Sequence, residues 1–547
     1  MKKETSSVLG HLVEITGESF VAELRSDLES LASDRMIGMD KVRIGQVGSY
    51  LLVKQSDTKI LCMVESMWTE SSPDTQDVFK LRLTPLGEYD AKGNFERGIN
   101  HYPTAGAVLQ VVSNWNLERI FSDHSEVYYQ VGKLSSFESI DVYLDASNFF
   151  GRHAAILGQT GSGKSWTVTS LIQSALRYMT NAHIIVMDLH GEYGNKRTDS
   201  SKTSPFPSSK VRCMEALELE MPYWLLTYSD LVELFINPDD TFVSVQLAFL
   251  RNTLGELRIE ANKASSMGHI TVDSPVYFSL EELLQKFEDA NVETSDFGRK
   301  KGPMYGNFDQ LLVRMHSMMN DRRYDFMLKP KLRTSTESLA DLMRDFVGLG
   351  TPKANVTVLN LSAVPYDVAP AVTALIGRLA FEFNFWNPKC LEFPIWLVCE
   401  EAQEYIPRKD HTRYKESRRV MELISKAGRK YGVGLCVVSQ RPHEVSETVL
   451  AQCGTFLCMR ISNPDDQEYL RAMVPDTARG TLSSITSLAR GEVVAMGAAV
   501  PMPVRFKMNM PNPPPNSQDV DFGGKWSKGG EEIDVDQLVN NWREQIR

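Results

Sequence analysis

Eight consecutive residues, Gly158-Gln159-Thr160-Gly161-Ser162-Gly163-Lys164-Ser165, satisfy the pattern G-x-x-x-x-G-K-[ST]. Glycines at these spacings let backbone N–H groups curl around phosphate oxygens, and a helix starting at the lysine adds positive potential. In such a loop Lys164 reaches the β- and γ-phosphates and Ser165 holds a divalent metal ion. The preceding run Ala154-Ala155-Ile156-Leu157 reads as a short buried strand, and Trp166 to Leu176 reads as a helix. Strand, glycine loop and helix in that order predict a nucleoside triphosphate site, with ATP and Mg2+ as its ligands.

Hydrolysis needs more than a phosphate cradle. An acid must stand near the metal, and a base must orient water. Glu400 and Glu401 follow directly on the apolar run Ile395 to Cys399, so Glu400 is expected behind the metal and Glu401 at the attacking water. The alternative is a pair of acids capping the next helix. Ser439-Gln440-Arg441-Pro442 ends a further apolar strand, which sets Gln440 to sense the γ-phosphate or orient water. Asp188 ends the strand after the first helix and serves either water and metal or the next turn. Arg152 and Arg429 are candidates for stabilising charge that develops on the γ-phosphate, in competition with ordinary surface ion pairs.

These groups need a scaffold of strands whose ends converge. Apolar runs at His183 to Met187, Val356 to Leu361, Ile395 to Cys399, Gly434 to Ser439 and Phe456 to Arg460 have the continuous character of a parallel sheet covered on both faces. The expected α/β core occupies residues 146–200 and 350–500. Residues 1–145 carry short β-rich runs between glycine, Asp and Asn turns, such as Ile60 to Val64 and Val108 to Val112, and predict a small barrel. Residues 201–349 read as a mostly helical insertion, with helices expected at Ser229 to Ile236 and Ser279 to Ala290 behind serine caps. Residues 501–547 form a Pro-rich tail with one amphipathic helix, expected to lie on the core or on a neighbouring subunit.

The chain of 547 residues has 59 Lys and Arg against 70 Asp and Glu, a net charge of −11. Global charge therefore does not point to nucleic acid, and any such surface must be local. One local excess exists. Residues 408–430 hold nine basic residues (Arg408, Lys409, Arg413, Lys415, Arg418, Arg419, Lys426, Arg429, Lys430) against Asp410, Glu416 and Glu422. That segment either faces phosphates in a channel or forms a solvated helix face. Sparse aromatics favour contact with a duplex backbone over base stacking. Seven scattered cysteines without a C-x-x-C pair argue against thiolate metal sites and for a reducing compartment. No apolar run approaches a membrane span, so a soluble cytoplasmic protein is expected.

Together, Arg152-His153-Ala154-Ala155-Ile156-Leu157-Gly158, Asp188-Leu189-His190-Gly191-Glu192-Tyr193, Glu400-Glu401-Ala402-Gln403, Gly428-Arg429-Lys430-Tyr431-Gly432-Val433-Gly434 and Val438-Ser439-Gln440-Arg441-Pro442 resemble the HerA family of the HerA/FtsK group of DNA-pumping ATPases. The resemblance implies a RecA-like ATPase core, a homohexamer with ATP at subunit interfaces, and double-stranded DNA in a central channel. It implies an effector partner docked on the barrel: a NurA-like nuclease, a sirtuin-type NADase or another nuclease. DNA-end processing and anti-phage defence are the two settings in view. The chain departs from the family's Asp-Glu-Ala-His by carrying Glu400-Glu401-Ala402-Gln403. A ring that binds ATP and organises an effector, with motor activity secondary, is the competing reading. A membrane-anchored FtsK-like or conjugation-type pump is disfavoured by the lack of an apolar span.

Overall fold

The computed structural model describes residues 8–544 except 26–34, 38–39, 43–45, 73–74, 91, 123–127, 195–202, 264–266, 296–299, 410–411, 475–479, 483, 518–520 and 529–532. Two compact units result. The first comprises Met1–Asn181, Glu401–Gln403 and Gly434–Pro514, and the second Ala182–Glu400, Glu404–Val433 and Pro515–Arg547.

In the first unit six antiparallel strands close into a barrel: Val8–Ile15, Phe20–Leu24, Tyr50–Gln55, Thr58–Ser72, Thr75–Tyr89 and Val108–Val111. Closure comes from pairing of Phe20–Leu24 with Thr75–Tyr89. Alternate residues point inward, as a two-residue strand period requires. Ile60, Cys62 and Val64 from one strand meet Leu81 and Leu83 from the next and Leu51 and Val53 from the strand on its other side. Leu61 and Met63, on the opposite face of the same strand, are also buried. That is why this run is apolar throughout rather than alternating. Thr481 donates to the Met63 sulfur at 3.6 Å, so the outer face of the barrel is covered by later parts of the same unit.

The barrel closes by residue 111, short of the expected 145. Tyr128–Leu134 and Phe137–Asp145 pair with each other and, through Tyr128–Leu134, with Val504–Met508. Seven strands of the first unit lie in the order Phe137–Asp145, Tyr128–Leu134, Val504–Met508, Glu492–Gly497, Thr455–Cys458, Ala154–Leu157, Val433–Ser439. The last three are parallel and the others antiparallel. The sequence reading located the three parallel strands and missed the antiparallel extension, because its strands come from chain segments more than 300 residues apart.

In the second unit four parallel strands lie in the order Ile395–Cys399, Ile184–Asp188, Val356–Asn360, Val211–Glu215. Val211–Glu215 falls inside the expected helical insertion. Its residues are only half-buried and include Arg212 and Glu215, so it lacks the apolar run that marks its neighbours. Among the described residues of 216–346, helices predominate, with one short antiparallel pair, Thr294–Ser295 with Lys300–Lys301. The helix Tyr228–Phe235 is capped by Thr227 with a full capping box to Asp230, not by Ser229. Leu280–Val292 takes Ser279 as its cap, as expected. Around the first of these, Arg378 pairs with the buried Asp230 and donates to the Leu225 carbonyl at 2.7 Å.

Among the described residues no helix is long and apolar enough to cross a membrane. The tail helix Val535–Glu544 is exposed at Val535, Leu538 and Trp542.

Candidate nucleotide site

Parallel pairing brings three strand ends level. Leu157 stands opposite Ser439 on one side and Cys458 on the other. The turns that follow each strand therefore meet at the carboxyl edge, where α/β sheets bind ligands. Gly158 N–H donates to the Ser439 carbonyl at 3.2 Å, and Gln159 N–H to that of Arg460 at 2.9 Å. Ser462 N–H donates to Gln159 Oε1 at 3.0 Å. The Thr160 hydroxyl donates to Gln440 Oε1, which ties the loop to the turn after Ser439.

The loop's glycines are required by space and by φ. A Cβ on Gly158 would lie 2.6 Å from Ser162 Oγ and 2.8 Å from the Met459 Cβ. Gly163 has φ +107° and caps the helix Lys164–Tyr178 without a side-chain hydrogen bond. The first N–H groups of that helix are thus turned toward the loop rather than toward a capping oxygen. Met459 forms the floor: its sulfur lies 3.9 Å from Ser162 Oγ and 3.7 Å from Thr167 Oγ1. Lys164 is buried at 8% exposure, with Nζ 3.5 Å from the Gln159 carbonyl. A cradle of N–H groups, a lysine held in it and a serine hydroxyl at the helix start fit a magnesium-bound triphosphate.

Arg152 is exposed where the strand begins, and its carbonyl accepts Gly454 N–H at 2.8 Å. His153 beside it is buried, with φ +53°. Its Nδ1 accepts Leu435 N–H at 3.0 Å, so the imidazole proton sits on Nε2. His153→Ala leaves that buried N–H without its acceptor. The expected loss is about 1–3 kcal/mol of stability, read as a lower urea midpoint.

In the second unit Glu400 is buried at the end of Ile395–Cys399, and Tyr193 O–H donates to its Oε1 at 2.6 Å. Asp188 is fully buried and accepts N–H bonds from Glu192 and Tyr193, each at 2.9 Å. It therefore ties down the Gly191-Glu192-Tyr193 turn and, through Tyr193, supports Glu400. Burial raises the Asp188 pKa from 3.8 to about 6, against the lowering effect of the two N–H donors. Between those values the unfolded chain holds fewer protons than the folded one, so stability falls as pH rises from about 4 to about 6. Comparing urea midpoints of the wild type and Asp188→Asn across that range should show a steeper fall in the wild type, the remainder coming from other buried acids such as Glu233, whose pKa burial raises to about 7.

Glu401, the next residue along the chain, has φ +47°. A left-handed conformation costs a non-glycine residue about 1–2 kcal/mol, and here it lies in the turn that leads into Ala402–Glu404. Its Oε2 accepts from Gln403 Nε2 at 2.5 Å. Gln403 Oε1 in turn accepts from the Ser439 hydroxyl at 2.6 Å. The sequence singles out Glu401 and Gln440 as candidates, and nothing in it points to this link or to Met459.

Arg429 and Lys430 are exposed on the short turn Gly428–Tyr431. Asp410 lies outside the described residues. Within the helix Lys415–Ala427, Glu422 accepts from Arg418 at 2.8 Å and lies 4.0 Å from Lys426, while Arg419 stands 3.6 Å from Glu416. Arg413 sits over the Tyr366 ring and 3.3 Å from Asp367. Local pairing thus uses part of the basic excess, and Lys409, Lys415, Arg429 and Lys430 are left exposed.

Residues 129–380, which include the whole phosphate loop and Asp188, match the family model "Helicase HerA, central domain". The chain is 26% identical over 435 residues to the DNA double-strand break repair helicase HerA of Saccharolobus solfataricus, covering 78% of this chain and 77% of that one. It is 25% identical over 529 residues to the protein of the same name from Sulfolobus acidocaldarius, covering 91% and 95% respectively. Among solved structures, VirB4 of Thermoanaerobacter pseudethanolicus superposes with a TM-score of 0.48 at 16% identity, over 71% of this chain and 97% of that one. The chain thus carries a HerA helicase central domain, phosphate loop included, and is similar to HerA helicases along as much as nine-tenths of its length.

Proposed function

We propose that the protein is an ATP-driven double-stranded DNA translocase or helicase that works as a homohexameric ring. The observation that carries this reading is the convergence of the phosphate loop with the Gln440 turn at one sheet edge, with Glu401 hydrogen-bonded through Gln403 to the same turn. The loop N–H groups and Lys164 bind the phosphates. Ser165 and Glu400 are the proposed holders of Mg2+, which when bound would supply charge neutralisation on the phosphates. Glu401 orients and deprotonates the attacking water, and Gln440 reports on the γ-phosphate through its bond to Thr160. Asp188 keeps the Tyr193 turn and Glu400 in place. Arg429 and Arg152 are both exposed, as a group acting on a neighbouring subunit's site must be.

The exposed lysines and arginines of residues 408–430 are assigned to the DNA backbone. The HerA relatives from Saccharolobus solfataricus and Sulfolobus acidocaldarius are DNA double-strand break repair helicases. An effector chain, of nuclease or NADase type, is proposed to dock on the barrel, in DNA-end processing or anti-phage defence. The test is ATP hydrolysis with and without linear duplex DNA at two salt concentrations. Duplex should stimulate turnover, and the stimulation should decline steeply with salt, because phosphate contacts release counterions. An unchanged rate with duplex at low salt, in a protein that hydrolyses ATP, would leave the scaffold reading in its place.

A further inference from the structure

Gln403 occupies a position whose chemistry is unusually well determined. It is buried at 7% exposure, and Ser439 is fully buried. Glu401 Oε2, as a carboxylate oxygen, accepts; so the amide NH2 of Gln403 must face it, at 2.5 Å. The amide oxygen then faces Ser439, whose hydroxyl donates to it at 2.6 Å. The lone pairs of Ser439 Oγ are left to accept Arg441 N–H, at 3.0 Å. Only one arrangement of hydrogens satisfies all three bonds. Every donor points along one direction, from the Arg441 backbone through Ser439 and Gln403 to Glu401, and such an aligned chain strengthens each member. The turn at its far end carries Gln440, which is bonded to Thr160 of the phosphate loop.

We infer that Gln403 is a positioning residue for hydrolysis: it sets the Glu401 carboxylate and couples it to the Ser439–Arg441 turn, so that a movement of the turn moves the carboxylate. The inference rests on the assignment of Glu401 to the attacking water. The side-chain bonds of Gln403 run to Glu401 and Ser439, and its effect passes through Glu401. A group at 403 has to donate on one side and accept on the other. A neutral imidazole meets that requirement through its two ring nitrogens, whereas an aliphatic side chain meets neither half.

Three variants of the full-length protein test this, with kcat and KM for ATP and the rise in thermal midpoint on adding Mg-ATP. Gln403→Leu should lower kcat about tenfold or more, the scale of a lost hydrogen bond to a charged group, with KM and the ATP-linked midpoint rise unchanged. Ser439→Ala should lower kcat less, since Gln403 still reaches Glu401. Gln403→His should restore kcat to within about threefold of wild type. A wild-type kcat in Gln403→Leu overturns the inference. So does a Gln403→His variant as impaired as Gln403→Leu, or a parallel loss of kcat and of the ATP-linked rise, since a merely structural role would give those. If Gln403→Leu does not fold, Ser439→Ala and Gln403→His decide by the same criteria. Glu401→Gln separates the layers. Normal turnover there removes the underlying assignment, whereas a dead Glu401→Gln beside a wild-type Gln403→Leu removes this inference alone.

Discussion

Glu401→Gln should reduce ATP turnover by about 10²–10⁴-fold, the range lost with a general base, while leaving ATP binding intact. The substitution keeps size and shape. The new amide oxygen can still accept from Gln403 Nε2, which lies 2.5 Å from the present carboxylate oxygen, so the left-handed turn keeps its support. What disappears is the capacity to take a proton. Single-turnover hydrolysis gives the chemical step directly. The rise in thermal midpoint with Mg-ATP reports binding, since a ligand that binds only the folded state stabilises it by mass action. A normal rate in this variant would remove Glu401 from the attacking water, and Glu400 would be next in line. Glu400, bound by the Tyr193 hydroxyl, is the more deeply buried of the two acids.

Lys164→Met should have the complementary signature: binding and turnover are lost together. Met conserves the volume of the buried stem, so the unliganded midpoint should stay near wild type while the Mg-ATP rise is abolished. Turnover should fall by at least about 10²-fold, the scale of one preorganised electrostatic contact to charge in the transition state. The difference between the two variants separates holding phosphate from activating water. If Lys164→Met kept the ATP-linked rise, the lysine would have no part in the cradle, and the N–H groups of residues 159–165 would be holding the phosphates alone.

How much of this was legible along the chain depends on how local each feature is. The phosphate loop is contiguous, and its glycines answer to local constraints: φ +75° at Gly161, φ +107° at Gly163, and no room for a Cβ at Gly158. Its reading needed no knowledge of the rest. The pair Glu400-Glu401 and Gln440 stand out as candidates along the chain because each follows directly on an apolar strand, and the turns after such strands are where α/β folds bind ligands. The Asp188 alternatives were left open by the sequence. Its hydrogen bonds go to Glu192 and Tyr193 N–H, and so tie down the turn.

Other features were invisible for a physical reason. Val211–Glu215 carries Arg212 and Glu215 and has no apolar run; what makes it a strand is pairing with Val356–Asn360, nearly 150 residues away. Tyr128–Asp145 looked like more barrel because short β-rich runs do not record their partners, and the partner here is Val504–Met508. The basic segment looked more strongly charged in sequence than it is in space, because Glu422 and Glu416 sit one helical turn from Arg418, Lys426 and Arg419.

By itself, the sequence determined which residues are candidates for nucleotide chemistry: a phosphate-loop pattern, an acidic pair and a polar turn, each written in contiguous residues. Only the tertiary structure decided how those pieces are joined. Parallel register places Leu157 beside Ser439 and Cys458, and with it the Met459 floor and the line of hydrogen bonds from Arg441 through Ser439 and Gln403 to Glu401. Those bonds run between residues brought together by strand pairing and burial, and no spacing along the chain encodes them.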